Sequence, residues 1–320
     1  MTTLEQITIR KVRLEASDYE GIAQVVQSAN AADDISARPS AREFQNQLTA
    51  PGFDPDDAFV VEHESQLVAF SEFSFEGDGN PIWASAAVLP MLRESGIAQR
   101  LLTTVDESAV ARATATFSEA MPIIIHRNAS APNLGGIALL KANGYTHSRT
   151  FYEMQIDLTQ PLPPPPPLPE GLRLVPVDGV TQGYALYEAD ETAFADHWGH
   201  SPVAWEWFEH SVLNNERSDL RLWVVAWAGD QIAGYSYNRP LNKGDLSVAW
   251  VGHIGVLEGW RRQGLGATLL AHDFARFQEF GYQQARLMVD SDNATNALGL
   301  YERAGMHVVR SSHVYRKQFR

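Results

Sequence analysis

The sequence predicts a mixed α/β (α+β) protein made of two copies of one domain. Three observations carry that expectation. A unit of apolar strand, basic-glycine turn and amphipathic helix occurs twice with matching internal spacing. A proline-rich run at 161–169 divides the chain near its middle. In both halves, short apolar runs bounded by turn residues alternate with segments of helical period. A length of 320 residues favours two domains over one. The expected division is 1–160, a linker at 161–170, and 171–320.

Taken in order, the β-branched and apolar run at 7–14 reads as a first strand. A helix is expected over 18–30, with Asp18 as its N-cap. The Asp-, Ala- and Pro-rich stretch 31–57 holds a helix near 40–48. Residues 58–62 and 66–75 form a strand pair turned at 63–65, and 83–88 is the next strand. Leu101, Leu102, Val105 and Ala109 recur at helical spacing within 99–113. A buried strand follows at 121–126, then a helix ending at the glycine Gly144, then a closing strand at 151–158. The prolines suit a semi-rigid polyproline II spacer of roughly 25–30 Å, at ~3.1 Å per residue. The second half restarts at 172–177, continues through aromatic-rich helices over 180–210, and forms a hairpin over 222–237. Strands are expected at 247–256, 285–290 and within 308–319.

The repeated turn has a physical purpose. Arg93, Gly96 and Ala98 lie 5, 8 and 10 residues after Val88, as Arg261, Gly264 and Gly266 do after Val256. Glycines let a ligand approach the backbone closely. The amides of Gln263, Gly264, Leu265, Gly266 and Ala267 would point out of the first turn of the following helix, with its dipole behind them. Arg261 and Arg262 add charge. Such a cradle suits a diphosphate. It is neither a Walker A loop nor a G-x-G-x-x-G turn.

Arg261-x-x-Gly264-x-Gly266 resembles the acetyl-CoA signature of the GNAT superfamily of N-acetyltransferases. Residues 293–306, from Asn293 through Ala297, Leu300, Tyr301 and Glu302 to Gly305 and Met306, resemble that family's N-x-x-A-x-x-L-Y-E-x-x-G-F motif, with Met306 for the usual Phe. The two follow in order, Tyr301 standing 40 residues after Arg261. Two-domain bacterial acetyltransferases of the mycothiol synthase type share the tandem layout. The resemblance implies two GNAT-like domains, each a twisted, mixed, mostly antiparallel sheet flanked by helices. Strands 248–256 and 285–290 would splay apart to admit acetyl-CoA.

By that resemblance Ile254 and Val256 line the pantetheine arm, and Asn293 and Ala297 sit by the cofactor. Tyr301 is the expected general acid: a phenol of pKa ~10 keeps its proton at neutral pH and can still give it to a thiolate of pKa ~8.5. The strand before the turn has no Glu, and His253 is its titratable side chain, so His253 is the candidate base. Asp190, Asp196, His197 and Trp198, with Trp205, Glu206 and Trp207 nearby, suit a cationic acceptor through charge pairing and cation–π contact. In the first half Val88, Arg93, Gly96 and Ala98 are the corresponding cofactor positions. Leu140 stands there in the place of Tyr301, so catalysis is expected in the second half.

A net charge of −14 argues against nucleic acid or an anionic membrane as partner and permits a cationic acceptor, and the acidic-aromatic loops suggest a closed pocket for a small-molecule amine. A protein amine is the alternative acceptor; a non-catalytic acyl-CoA sensor or partner-binding pseudoenzyme is the alternative class. With no cysteine there is no disulfide, thiolate metal site or acyl-cysteine intermediate. The scattered histidines suggest no metal site. No signal peptide or transmembrane run is evident, which makes cytoplasmic the expectation. A monomer (an intrachain pseudo-dimer) or a homodimer would fit.

Overall fold

A computed structural model describes residues 7–75, 81–195, 197–198, 200–293 and 297–320. The first half runs β1 (Ile7–Lys11), α1 (Ala16–Ala32), α2 (Ala41–Leu48), β2 (Ala58–His63), β3 (Gln66–Phe75), β4 (Ile82–Val88), α3 (Ile97–Thr116), β5 (Ile124–Ser130), α4 (Leu134–Ala142) and β6 (Thr146–Asp157). The second runs β7 (Leu172–Leu174), α5 (Gly179–Phe194), α6 (Trp205–Phe208), β8 (Val224–Ala228), β9 (Gln231–Pro240), β10 (Val248–Val256), α7 (Leu265–Glu279), β11 (Gln284–Asp290), α8 (Ala297–Arg303) and β12 (His307–Gln318). The fold is mixed α/β, mostly antiparallel in its sheets, as the sequence implies.

The chain forms two compact units, 1–150 with 311–320, and 151–310. In the first unit β1, β2, β3 and β4 pair antiparallel in order, β4 pairs parallel with β5, and residues 312–318 pair antiparallel with β5. In the second, β7, β8, β9 and β10 pair antiparallel, β10 pairs parallel with β11, and residues 151–157 pair antiparallel with β11. Strands β3 and β9 share one burial pattern residue by residue.

This division differs from the expected one. The closing strands at 151–158 and within 308–319 each complete the sheet of the other sequence half. The unit boundaries fall inside β6 and β12, strands of 12 residues each. Alternation along such a strand marks a buried face but not the sheet that covers it.

Local chemistry explains the elements. Ser40 and Glu43 form a reciprocal capping box on α2. Glu64 and Ser65 take left-handed backbone in the β2–β3 turn without a glycine. Asp18 is not the cap of α1: the helix begins earlier, and the Asp18 carboxylate accepts the Arg13 amide at 2.8 Å and both terminal nitrogens of Arg10 at 2.7 and 2.8 Å. Burial of Ile22, Leu48, Val60 and Phe70 packs α1 and α2 on one face of the first sheet, while Ile97, Leu101 and Val105 of α3 pack with Ile125 and Tyr315.

In the second unit the strand at 151–157 brings a buried carboxylate. Glu153 accepts Arg286 Nη1 at 3.0 Å and Arg310 Nε at 3.1 Å, with all three side chains at most 15% exposed. Removing one member of such a buried set strands the others, at a cost of roughly 3–5 kcal/mol. Glu153→Ala is therefore expected to destabilise the second unit by about 3 kcal/mol, read as a lowered urea midpoint in the intact chain. An unchanged midpoint would contradict this role for Glu153.

Candidate active site

The parallel ladder between β10 and β11 covers only Val248 to Trp250 against Gln284 to Arg286. Beyond it, β10 continues for six residues on β9 alone, with a register shift between Val251 and His253. One edge of β10 is thus open to a ligand that can pair as a strand does. At its end, Gly264 has φ +84° and Arg262 φ +61°, which turns the chain directly into α7. No side chain caps that helix start, and a Cβ on Gly264 would meet nothing within 4 Å. A Cβ on Gly266 would meet Leu300 at 3.5 Å and Val256 at 3.7 Å. An open helix N-terminus with donors Leu265, Gly266 and Ala267 fits an anionic diphosphate. Arg261 is engaged otherwise: its Nε donates to the Val256 carbonyl at 2.9 Å and its Nη2 to the Ala193 carbonyl at 3.4 Å. It ties the end of β10 to the end of α5, leaving the exposed Arg262 as the nearer free cation of the pair.

The bulge brings His253 toward α5. His253 Nδ1 lies 3.0 Å from Asp190 Oδ1. Tyr235 donates to the same oxygen at 2.6 Å, and Tyr237 to Oδ2 at 3.3 Å. Burial, and then the Asp190 charge, push both phenols well above their ordinary pKa, so both stay donors. The imidazole stacks between Tyr237, 4.8 Å away at 26°, and Phe194, 4.7 Å away at 35°. Its side chain is 43% exposed, that of Asp190 only 9%. Gly255 makes room for this arrangement: a Cβ there would sit 2.4 Å from the Tyr235 hydroxyl.

Tyr301 lies on α8, its ring buried in the core of the second unit. Burial first, then the charge of Asp273, raise its phenol to about 12. No hydrogen bond joins it to His253 among the described residues. Asp273 of α7 is fully buried; Asn238 Nδ2 donates to it at 2.8 Å, and its other oxygen has no partner among the described residues. Asn293 meets His197, Nδ2 to Nε2 at 3.1 Å. It stands four residues before Ala297, where the family motif leaves three.

The residues expected at the acceptor pocket have these surroundings. Asp190, read as a carboxylate for the acceptor, is occupied by three protein groups. Trp205 packs on Tyr184, Tyr187 and Phe208 as part of the helix core. Trp198 lies 6.1 Å from Phe151. Asp196 lies outside the described residues. The sequence reading missed Tyr235, Tyr237 and Asp273; the closest signal was the spacing of two tyrosines on one face of a strand.

In the first unit, Gly96 repeats the left-handed turn at φ +84° before α3. Arg93 is held in a bidentate pair with Asp33 at 2.7 and 2.9 Å and donates to the Ala29 carbonyl. Asn133, which caps α4, also donates to Asp33 at 3.2 Å. Val88 and Ala98 lie in and against the apolar core, as Leu140 does. Among the described residues no His, Asp and Glu group could hold a metal, and no helix is long and apolar enough to cross a membrane.

A strand splayed from its parallel neighbour above a glycine turn and an open helix start is the arrangement that the sequence motifs imply for an acyl-CoA site. Residues 183–306 match the acetyltransferase (GNAT) family model. Across nearly its whole length the chain is similar to the mycothiol acetyltransferase of Thermobispora bispora, 26% identical over 308 residues, 93% of this chain and 96% of the relative. The mycothiol acetyltransferase of Salinispora arenicola is 26% identical over 317 residues, 95% and 96% of the two chains. Among solved structures, a GCN5-related N-acetyltransferase from Sphaerobacter thermophilus superposes with a TM-score of 0.77 at 25% identity, covering 100% of this chain and 98% of that one. A tandem GNAT protein from the clavulanic acid biosynthesis pathway shares the fold, with a TM-score of 0.70 at 15% identity and 98% of each chain covered.

The buried acid gives a pH test. Burial holds the Asp273 carboxyl at about 8, against an ordinary 3.8, opposed by hydrogen bonds from Ser236 and Asn238. The folded protein keeps this proton while the unfolded chain loses it, so the contribution of Asp273 to stability falls as pH rises from about 4 to about 8. Asp273→Asn does not titrate. Its stability relative to the parent is expected to improve over that window, by roughly 4 kcal/mol, in urea titrations at pH 4.5 and 8. Parallel curves would contradict it.

Proposed function

We propose that the C-terminal half transfers an acetyl group from acetyl-CoA to a primary amine of a small molecule. The observation that carries this reading is the open edge of β10 leading through the turn at 257–264 to the uncapped start of α7, with His253 on the same strand. When bound, acetyl-CoA supplies the acetyl thioester. The amides 263–267, with Arg262, would hold the diphosphate, and the free edge at Ile254 and Val256 the pantetheine arm. A backbone donor on this edge would stabilise the oxygen that gains charge.

His253 Nε2 takes the proton that the acceptor nitrogen sheds as the C–N bond forms. Tyr301 gives its phenolic proton to the sulfur as the C–S bond breaks. Solvent removes the proton from His253 and restores that of Tyr301, leaving an amide and a free thiol. A phenol raised by burial stays protonated at neutral pH and is also a weaker acid, so it donates only to the charge that develops on the sulfur.

The surroundings of His253 support a small acceptor: Phe194 and Tyr237 pack on its imidazole and His197 packs on Phe194, so an amine reaching Nε2 would meet an aromatic cluster. The name of the relatives is the reason to place a mycothiol-related amine in the substrate panel. Free-thiol release from acetyl-CoA, measured across such a panel, is expected with at least one small amine. Tyr301→Phe should lower kcat about 100-fold with little change in acetyl-CoA affinity. Release with no small amine, or an unaltered kcat in the variant, would overturn this reading.

A further inference from the structure

We infer that Asp190 is a positioning residue: it holds His253 in the tautomer that carries hydrogen on Nδ1, and does not bind the acceptor amine. The inference rests on His253 as the base and assigns its orientation to residues of α5 and β9.

Three donors converge on one carboxylate, the hydroxyls of Tyr235 and Tyr237 and His253 Nδ1, at 2.6, 3.3 and 3.0 Å. An ionised carboxylate only accepts. The imidazole nitrogen facing it must therefore bear the hydrogen, which leaves the Nε2 lone pair free to accept a proton. Nε2 has no partner among the described residues, and stacking between Phe194 and Tyr237 fixes the ring plane. Asp190 itself is 7% exposed, too enclosed to meet an acceptor cation. The charges near the network are Glu191 on α5 and Arg239 on β9, both acting on Tyr237.

The first unit provides an internal comparison. The register of β3 on β4 sets Phe70 opposite Ala87 and Glu72 opposite Ser85; that of β9 on β10 sets Tyr235 opposite Gly255 and Tyr237 opposite His253. The burial pattern of β3 matches that of β9, and the pairing matches up to the register shift at Val251–His253, with Phe70, Glu72 and Ser85 where the second unit has Tyr235, Tyr237 and His253. The sheet does not require these groups. The unit that has them is also the one with Tyr301, while the other has Leu140 at the matching place.

Nitrogen-15 NMR of the imidazoles in the intact, ligand-free chain tests the tautomer directly. His253 is expected as Nδ1–H with a bare Nε2, and Asp190→Asn should convert a substantial fraction to Nε2–H. In amine acetylation the same variant should lose about 100-fold in kcat, leave KM for the amine within about threefold, and move the acid limb of the kcat/KM profile. Asp190→Glu, which keeps a carboxylate, should recover part of kcat and the original tautomer. A raised amine KM with kcat intact would make Asp190 an acceptor ligand and overturn the inference. So would an Nε2–H tautomer in the parent, a measurement that stands even if the variants fail to fold. Full activity in His253→Gln would sink the base assignment, while the NMR result would still decide what Asp190 does to the ring.

Discussion

The early end of the parallel ladder between β10 and β11 is the constraint on which the second unit turns. A complete ladder would satisfy the backbone of β10 on both sides and leave no edge for a ligand. After Trp250 the strand keeps only β9 as partner, and the register shift at Val251–His253 follows at once. That shift sets His253 opposite Tyr237. The same free strand leads to Gly264, whose left-handed backbone starts α7 without a cap. The open edge of β10, the register shift that sets His253 opposite Tyr237 and the turn at Gly264 thus follow one another along one stretch of chain.

The first unit has the splay and the turn but has used their chemistry differently. Its parallel ladder also covers only three pairs, Ile82 to Ala84 on β4. Yet Arg93 at its turn is locked to Asp33, which also accepts from Asn133. In the second unit the matching Arg261 touches only backbone carbonyls, and Asn293 meets a histidine. An ion pair with three charged or polar partners is a more closed arrangement than a neutral contact of the same reach. Leu140, at the place of Tyr301, lies in the core of the first unit and offers no proton to donate.

Much of this was legible in the sequence. The spacing of Arg, Gly and Gly after an apolar strand has few physical uses, so the turn and its helix stood out, and glycines and prolines marked most element ends. What could not be read was anything that depends on which strand lies beside which. Nothing within 151–158 or 308–319 says that each closes the other half's sheet, because alternation reports a buried face only. Asp190 looked like an acceptor ligand because its two tyrosines lie 45 and 47 residues away on β9. Arg261 looked like a phosphate ligand because a cation is visible in sequence, whereas the carbonyl of Val256 that takes its hydrogen bond is not. Asp18 suited a cap by residue type and was claimed instead by Arg10.

The account is tested most directly by titrating acetyl-CoA into the intact chain and into its Gly264→Glu variant by calorimetry. The turn at Gly264 is left-handed and open, so a glutamate there adds strain and places a carboxylate where the diphosphate would sit. The parent is expected to bind, and the variant to lose the binding site in the second unit while still unfolding cooperatively in urea, its midpoint lowered because the strained turn costs about 1–3 kcal/mol. Undiminished binding in the variant would place the cofactor elsewhere, and an absence of binding in the parent would contradict the acetyltransferase reading of the site.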